Sequence, residues 1–351
     1  MKKRILIFTP GGVGGAERMC VNYAKILLEN GYDVQIVILG KLKNLYNIIP
    51  DNISVDCIAF RNKYCLSTLR IWWKIITSGC DIVFSSLVSF NPRVIIAAKL
   101  ARKKLIIRSS GMVGDYGRWV YLKLRYTYPL ADKLIAQQED MRTEMSRMMK
   151  IPLEKIITLH NPIDKTNIDR LKMEKTPFKE KGYVNFVNIG RINKSKGQDI
   201  LLKAFSIVKG EINNARLWYV GFFTDNDEFY KSIVSLKSNL GLNDSVFFVG
   251  YDKNPFKWVN NADCYVLSSR SEGLPNALVE ASYIGTPCVA SRCLNVVNDI
   301  IKDGYNGYTV PVGDVDQMAT SMVKALTLKN FKMIYKPANT DDIINVFESV
   351  I

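Results

Sequence analysis

Three short segments hold residue types suited to chemistry on a phosphorylated ligand. In Gly190-Arg191-Ile192-Asn193-Lys194-Ser195-Lys196-Gly197, two cations follow directly on the apolar run Tyr183–Ile189, which reads as a strand. Arg191 and Lys196 at a strand end could neutralise a diphosphate as its bond to a sugar breaks, and they suit a solvated loop equally well. In Glu272-Gly273-Leu274-Pro275-Asn276-Ala277-Leu278-Val279-Glu280-Ala281, the run Cys264–Ser268 feeds a loop, and Pro275 or Asn276 suits a helix start. Glu272 then lies in the loop and Glu280 one turn inside the helix. The backbone N–H groups near Leu274–Ala277 are free to face an anion. Of the two carboxylates, one can accept hydrogen bonds from sugar hydroxyls and the other from ribose hydroxyls. An ordinary acidic helix start is the plainer reading of the same residues.

The third segment, Gly11-Gly12-Val13-Gly14-Gly15-Ala16-Glu17, follows the run Arg4–Thr9 and opens a helix reaching about Asn30. Glycines there let a phosphate approach the backbone at a helix N-terminus, and they also suit a tight strand–helix turn. No Gly-Lys-Ser/Thr follows, which excludes a P-loop. The next strand ends at Leu39-Gly40-Lys41 without an acid to hold a ribose, which argues against a dinucleotide fold.

The elements that must position these segments alternate regularly. Apolar runs at Arg4–Thr9, Asp33–Leu39, Ile53–Phe60, Asp81–Ser86, Leu105–Arg108, Lys133–Ala136 and Lys155–Leu159 are separated by mostly helical patterns. A second series, Tyr183–Ile189, Ala215–Val220, Val246–Val249, Cys264–Ser268 and Pro287–Ala290, repeats the scheme. The alternation predicts parallel sheets in two doubly wound α/β domains with a cleft between them and ligands at the C-terminal ends of the strands. The turn Asn161-Pro162-Ile163-Asp164 and the polar stretch Lys165–Lys181 place the boundary. The expected domains are 1–164 and 165–340, with 341–351 returning to the first.

Composition narrows the function. The chain has 351 residues, 48% of them apolar, enough for two buried cores. The longest apolar runs are far short of the ~20 residues of a membrane span. The start, Lys2-Lys3-Arg4 and four apolar residues, is too brief for a signal peptide and is stopped by Pro10-Gly11-Gly12. The seven cysteines (20, 57, 65, 80, 264, 288 and 293) form no CxxC pair, and His160 is the only histidine. Free thiols in a reducing cytoplasm and no metal site are expected. The net charge of +15 is lopsided: residues 1–164 hold 25 Lys and Arg against 13 Asp and Glu, and the remainder 23 against 20. A basic first half with interleaved aromatics suits an anionic surface. The residues concerned are Arg61, Lys63, Arg70, Trp72, Trp73 and Lys74; Lys99, Arg102, Lys103 and Lys104; and Arg118, Trp119, Tyr121, Lys123, Arg125, Tyr126 and Tyr128. A membrane is favoured over nucleic acid as its owner.

Taken together, GGxGGAE, the NPID hinge, GRINKSKG and the E-x7-E element followed by Gly285-Thr286-Pro287-Cys288-Val289-Ala290 resemble family 4 glycosyltransferases of the GT-B fold, over nearly the whole chain. These are bacterial enzymes of capsule, O-antigen and lipid-linked glycan synthesis. The resemblance implies two Rossmann-like domains, a nucleotide-sugar donor (UDP-sugar the first choice), retention of anomeric configuration and no metal or other cofactor. Position by position, it puts Gly14 and Gly15 near the donor phosphates, and Arg191 and Lys196, after Gly190, on the diphosphate. Glu272 falls on the donor sugar and Glu280 on the ribose, with Gly273, Leu274, Pro275 and Asn276 giving backbone contacts. Arg191, Lys196 and Glu272 would carry the catalytic step. The implied acceptor is a glycan or polyprenyl-diphosphate-linked sugar, and the implied location the inner face of the cell membrane.

Two departures stand out. Many relatives carry a histidine in the loop after the fifth strand, where this chain reads Arg108-Ser109-Ser110-Gly111; Arg108 is a weak substitute, and His160 suits a structural role at the hinge. The tail after Pro311 is also short. Rival readings are another GT-B enzyme, such as a nucleotide-sugar 2-epimerase or a phosphorylase, and a non-catalytic scaffold. The set Arg191, Lys196, Glu272 and Glu280 speaks against the scaffold.

Overall fold

Both faces of a parallel sheet are covered, so its strands bury consecutive side chains rather than alternate ones. The first strand, β1 (Arg4–Pro10), shows this: Ile5, Leu6, Ile7 and Phe8 are all fully buried. This computed structural model describes residues 3–12, 14–40, 48–59, 67–175, 178 and 180–350. Val13, Lys41, Arg61, Lys63, Cys65 and Ile351 lie outside the described residues.

The chain divides into two units, Met1–Ile163 with Lys336–Ile351, and Asp164–Tyr335. In the first, β1 is joined by β2 (Asp33–Leu39), β3 (Ser54–Ile58), β4 (Ile82–Ser85), β5 (Lys104–Arg108), β6 (Lys133–Ala136) and β7 (Ile156–Thr158). They form a parallel seven-stranded sheet in the order β3-β2-β1-β4-β5-β6-β7. The order reverses between β1 and β4, which is where an open α/β sheet leaves a crevice at its strand ends.

The second unit holds β8 (Val184–Ile189), β9 (Ala215–Val220), β10 (Val246–Gly250), β11 (Cys264–Leu267), β12 (Cys288–Ser291) and β13 (Gly307–Val310). Their order is β10-β9-β8-β11-β12-β13, with the reversal between β8 and β11. β13 is a sixth strand where the sequence suggested five. Its burial is uneven, because it sits at the sheet edge. The polar stretch after the hinge is not a bare linker: Lys165–Lys172 is a helix, capped by Asp164 Oδ1 accepting from Asn167 N at 3.1 Å.

The glycine turn leads into the helix Gly15–Glu29, and Gly31 ends it at φ +87°. The tail returns as the helix Thr340–Glu348, opened by an Asn339/Asp342 capping box. Its Phe347 is fully buried, 5.6 Å from the Phe84 ring and 6.4 Å from that of Tyr23. This short tail thus completes one face of the first unit's core. Phe347→Ala is expected to cost about 3–5 kcal/mol in urea unfolding, since it opens a cavity among large rings. A loss under about 1 kcal/mol would mean the helix contributes little to that core.

Candidate functional site

In the second unit the register sets the site. β8 and β11 pair in parallel, Phe186 with Cys264 and Val187 with Tyr265, so the loops that follow them leave side by side. Those loops carry Lys196 and Glu272. Lys196 Nζ donates to both Glu272 carboxylate oxygens, at 2.6 and 2.8 Å. Ser269 Oγ donates to the same carboxylate at 2.6 Å. The Glu272 side chain is only 8% exposed, and these three hydrogen bonds satisfy its buried carboxylate. An ammonium has three donors, and two are spent on Glu272, which leaves one for a ligand oxygen.

The loop after β8 is built to present Lys196. Asn193 Oδ1 accepts from Lys196 N at 3.1 Å and from Ser195 Oγ at 2.8 Å, closing the short turn Lys194–Lys196. Gln198, fully buried, donates from Nε2 to Arg191 O at 3.0 Å. Gly197 sits at φ +64°, and a Cβ there would lie 2.0 Å from Ser268 O. Ser268 Oγ in turn donates to Lys196 O at 3.0 Å. The two loops therefore touch backbone to backbone.

Arg270 adds a latch that no local pattern announces, because its partner is far away in sequence. Its guanidinium forms a bidentate pair with Asp199 at 2.8 and 2.6 Å and donates to Lys194 O at 2.9 Å. Its backbone N–H donates to Ser195 O at 2.7 Å. Hydrogen bonding to Asp199 pushes the Arg270 pKa up. For Asp199, burial pushes the pKa up, but the Arg270 hydrogen bonds and charge outweigh it and the net shift is downward.

The remaining expected residues fall around this pair. Arg191 is exposed and makes no side-chain hydrogen bond or ion pair among the described residues. Glu280, half-buried, lies one turn into the helix Asn276–Ile284, which starts after Pro275 and ends at Gly285 with φ +92°. Leu274 and Pro275 are buried; Gly273 and Asn276 are partly so. Two neighbours escaped the sequence reading. The Tyr265 phenol is fully buried without a hydrogen-bond partner, and burial first, then the charges of Glu272 and Glu280, raise its pKa. The Cys293 thiol is pushed up to about 12 by burial and by Glu272.

In the first unit Gly14 caps the helix Gly15–Glu29 without a side-chain hydrogen bond. Glu17 folds back over the turn: its carboxylate oxygens lie 2.7 Å from where a Cβ on Gly14 would sit and 3.0 Å from one on Gly12. A phosphate at this turn requires Glu17 to swing away. Arg108 is 2% exposed and so offers no direct contact in place of the histidine. His160 Nδ1 lies 3.1 Å from Lys336 O, a structural tie to the returning segment. Glu144 fixes the loop after β5 by accepting from Val113 N at 2.6 Å and Gly114 N at 3.2 Å.

The basic segments resolve into a surface. Trp73 is 63% and Trp119 76% exposed, whereas Trp72 packs against the core and Tyr128 is fully buried in it, so the expected place of both on the surface is corrected. Three helices that pack in succession, Ser67–Ser78, Asn91–Leu100 and Arg118–Thr127, each expose apolar residues at helical spacing. These are Leu69, Trp73 and Ile76; Ile96 and Leu100; and Trp119 and Tyr126. Lys74 pairs with Asp56 and Lys99 with Asp132, while Arg102, Lys104, Arg118 and Lys123 are exposed. Among the described residues no helix is long and apolar enough to cross a membrane. Cys20, Cys57, Cys80, Cys264, Cys288 and Cys293 are free thiols.

Comparison with known proteins identifies the family and the fold. The family described as Glycosyltransferase Family 4 matches residues 13–167, and Glycosyl transferases group 1 matches residues 169–340. The chain is 30% identical over 200 residues to an uncharacterized glycosyltransferase of Methanocaldococcus jannaschii, covering 55% of this chain and 48%, about half, of that relative. It is 25% identical over 342 residues, 95% of this chain and 91% of the other, to a Campylobacter jejuni alpha-1,4-N-acetyl-D-galactosaminyltransferase named for a PP-undecaprenol-linked glycan. Among solved structures, an Anabaena HepE complex with UDP and glucose is similar at a TM-score of 0.78 and 17% identity, covering 99% of this chain and 95% of that one. Likeness at that identity shows the fold, which is GT-B.

The latch makes a pH prediction. Asp199 is more acidic folded than unfolded, so the unfolded chain binds more protons below the ordinary value of 3.8, and stability falls as pH drops through that range. Asp199→Asn is expected to cost about 1–2 kcal/mol at neutral pH and to flatten the acid limb below about pH 4. An unchanged acid limb in urea titrations would show that the pair does not couple to folding.

Proposed function

The chain belongs to the glycosyltransferases of the group 1 and family 4 type, and from that premise we propose a retaining enzyme that transfers a sugar from a nucleoside-diphosphate donor, first of all a UDP-sugar, to a glycan or polyprenyl-diphosphate-linked acceptor. The observation that carries the reading is the Lys196–Glu272 pair at the adjoining ends of β8 and β11. The carboxylate there can accept from sugar hydroxyls, while the spare ammonium N–H and the exposed Arg191 guanidinium face an oxyanion. Glu280 accepts from the ribose.

As the sugar–phosphate bond breaks, negative charge grows on the diphosphate, and Arg191 and Lys196 hold it; such preorganised charge is a large catalytic contribution. The acceptor hydroxyl attacks on the face from which the diphosphate departs, giving its proton to a leaving phosphate oxygen. This route suits a cation pair that reaches the leaving group without a metal. The lipid-linked acceptor is supported by the substrate in the name of the Campylobacter relative.

The same proposal sets the enzyme on the cytoplasmic face of the membrane, held by the exposed apolar stripes on the helices Ser67–Ser78, Asn91–Leu100 and Arg118–Thr127 and by their surrounding cations. Shallow insertion of Trp73 and Trp119 combined with basic contacts of about 1 kcal/mol each gives reversible attachment.

Two experiments test this. Calorimetry with UDP and GDP in EDTA should show Lys196→Ala and Glu280→Ala each losing roughly 1.5–3 kcal/mol of binding, with wild-type transfer surviving the chelator. Unchanged affinity in both folded variants removes the donor site; a rate restored only by magnesium or manganese removes the metal-free leaving group.

Liposome flotation should show binding to anionic but not neutral vesicles, released near 1 M salt, where the Debye length is about 3 Å. Lys103 and Lys104 changed to Glu should weaken it. Equal flotation on both vesicle types, or none, overturns the membrane placement.

A further inference from the structure

The first unit buries a cation for which the donor reading finds no direct contact. Arg108 ends β5 and is 2% exposed. Its Nη1 donates to Ser86 Oγ at 2.7 Å and its Nη2 to Asn161 Oδ1 at 2.5 Å; Nε is buried with no hydrogen-bond partner among the described residues. Asn161 Nδ2 passes the chain on to Gln137 Oε1 at 3.1 Å, and Gln137 Nε2 donates to Ser109 O at 2.8 Å. Every group in this network other than Arg108 is neutral. Among the described residues no carboxylate pairs with the guanidinium. The titratable groups acting on it are the Tyr23 phenol and the Cys20 thiol, pushed by burial to about 12 and about 11 and so both uncharged at neutral pH.

Buried charges are ordinarily paired, because neutral hydrogen-bond partners satisfy donors but do not offset the charge. Here the imbalance is doubled. Cys20 and Tyr23 belong to the helix Gly15–Glu29, whose N-terminus carries its own positive end. The crevice involved is the reversal between β1 and β4, with Ser86 just past the end of β4. A second observation points the same way: the Glu17 carboxylate is folded over Gly12 and Gly14, so an anionic group of the chain itself already occupies the space above this turn.

We propose that Arg108 is a positioning residue, a fixed charge beneath the β1/β4 reversal that draws a phosphate-type oxyanion to the glycine turn in place of Glu17. It does so through the field it sets up and through Ser86 and Asn161, without touching the ligand. The oxyanion is a diphosphate on the reading given above, and either the nucleotide donor or a lipid-linked acceptor supplies one.

The test uses the full chain and three probes: inorganic pyrophosphate, UDP and farnesyl diphosphate. Arg108→Met removes the charge and keeps an apolar stem. It is expected to lower the Tm without ligand, because Ser86 Oγ and Asn161 Oδ1 lose their buried donor, while the Kd for pyrophosphate rises roughly tenfold or more. Weakened UDP binding assigns the site to the donor, and weakened farnesyl diphosphate binding to the acceptor. Arg108→Lys, which keeps the charge but not the forked donors, should stay within about threefold of wild type in affinity while lowering the Tm.

If Arg108→Met binds all three probes like wild type, or Arg108→Lys binds as weakly as Met, the proposal fails. Should Met not fold, Arg108→Gln, which removes the charge but keeps a donor for Ser86 or Asn161, takes its place with the same expected and overturning outcomes. Wild-type binding of pyrophosphate without UDP would instead leave the Arg108 site standing and remove the donor assignment.

Discussion

Gly197 and Ser268 lie so close that a single methyl group would not fit between them. That contact governs the second unit's candidate site. It exists because β8 and β11 are neighbours in a parallel sheet, and it forces a glycine in the left-handed region at the end of the Lys194–Lys196 turn. With the loops backbone to backbone, Lys196 reaches Glu272, Ser268 seals the turn from below, and Arg270 can bridge to Asp199 across the same seam. Loosening that seam would cost more than one ion pair, because the pair, the cap on Asn193 and the latch all assume the same separation.

The sequence carried the parts of this arrangement that are local. Strands with mostly buried side chains read plainly as apolar runs, and Asp33–Leu39, Lys133–Ala136 and Ala215–Val220 have the expected limits. β13 did not, because an edge strand of Gly-Tyr-Thr-Val with mixed burial has neither an apolar run nor a clean alternation. The division falls at Ile163, and the chain returns from Lys336, a few residues before the expected 341. The missing part was the pairwise chemistry. Arg191, Lys196, Glu272 and Glu280 were visible as residue types at strand ends, yet nothing in their spacing says that Lys196 is already committed to Glu272. Arg270 with Asp199 was invisible for the same reason: sheet topology, not sequence distance, makes them neighbours. Trp72 and Trp73 are adjacent letters with opposite fates, set by which side of one helix meets the core.

The two units handle buried charge in opposite ways. In the second, two partly buried cations near the strand ends come with acids, Lys196 with Glu272 and Arg270 with Asp199, while Arg191 is exposed. Such pairs are largely self-compensated, so they give geometry and leave modest net charge. In the first unit Arg108 is held only by neutral groups, and the helix dipole adds to it rather than opposing it. The first half of the chain also carries nearly all the excess positive charge.

This difference has a physical consequence for how each unit can act. A compensated pair exerts a short-range influence: it discriminates by hydrogen bonds and loses its effect within a few ångströms. An uncompensated buried cation acts over a longer range, because low-dielectric surroundings screen it poorly. Glu17 fits this account. Its carboxylate sits over Gly12 and Gly14 in the first turn of the helix, where the helix's positive end favours an acid. On the proposal made for Arg108, the first unit adds a long-range attraction to the short-range contacts that Arg191, Lys196 and Glu272 offer in the second.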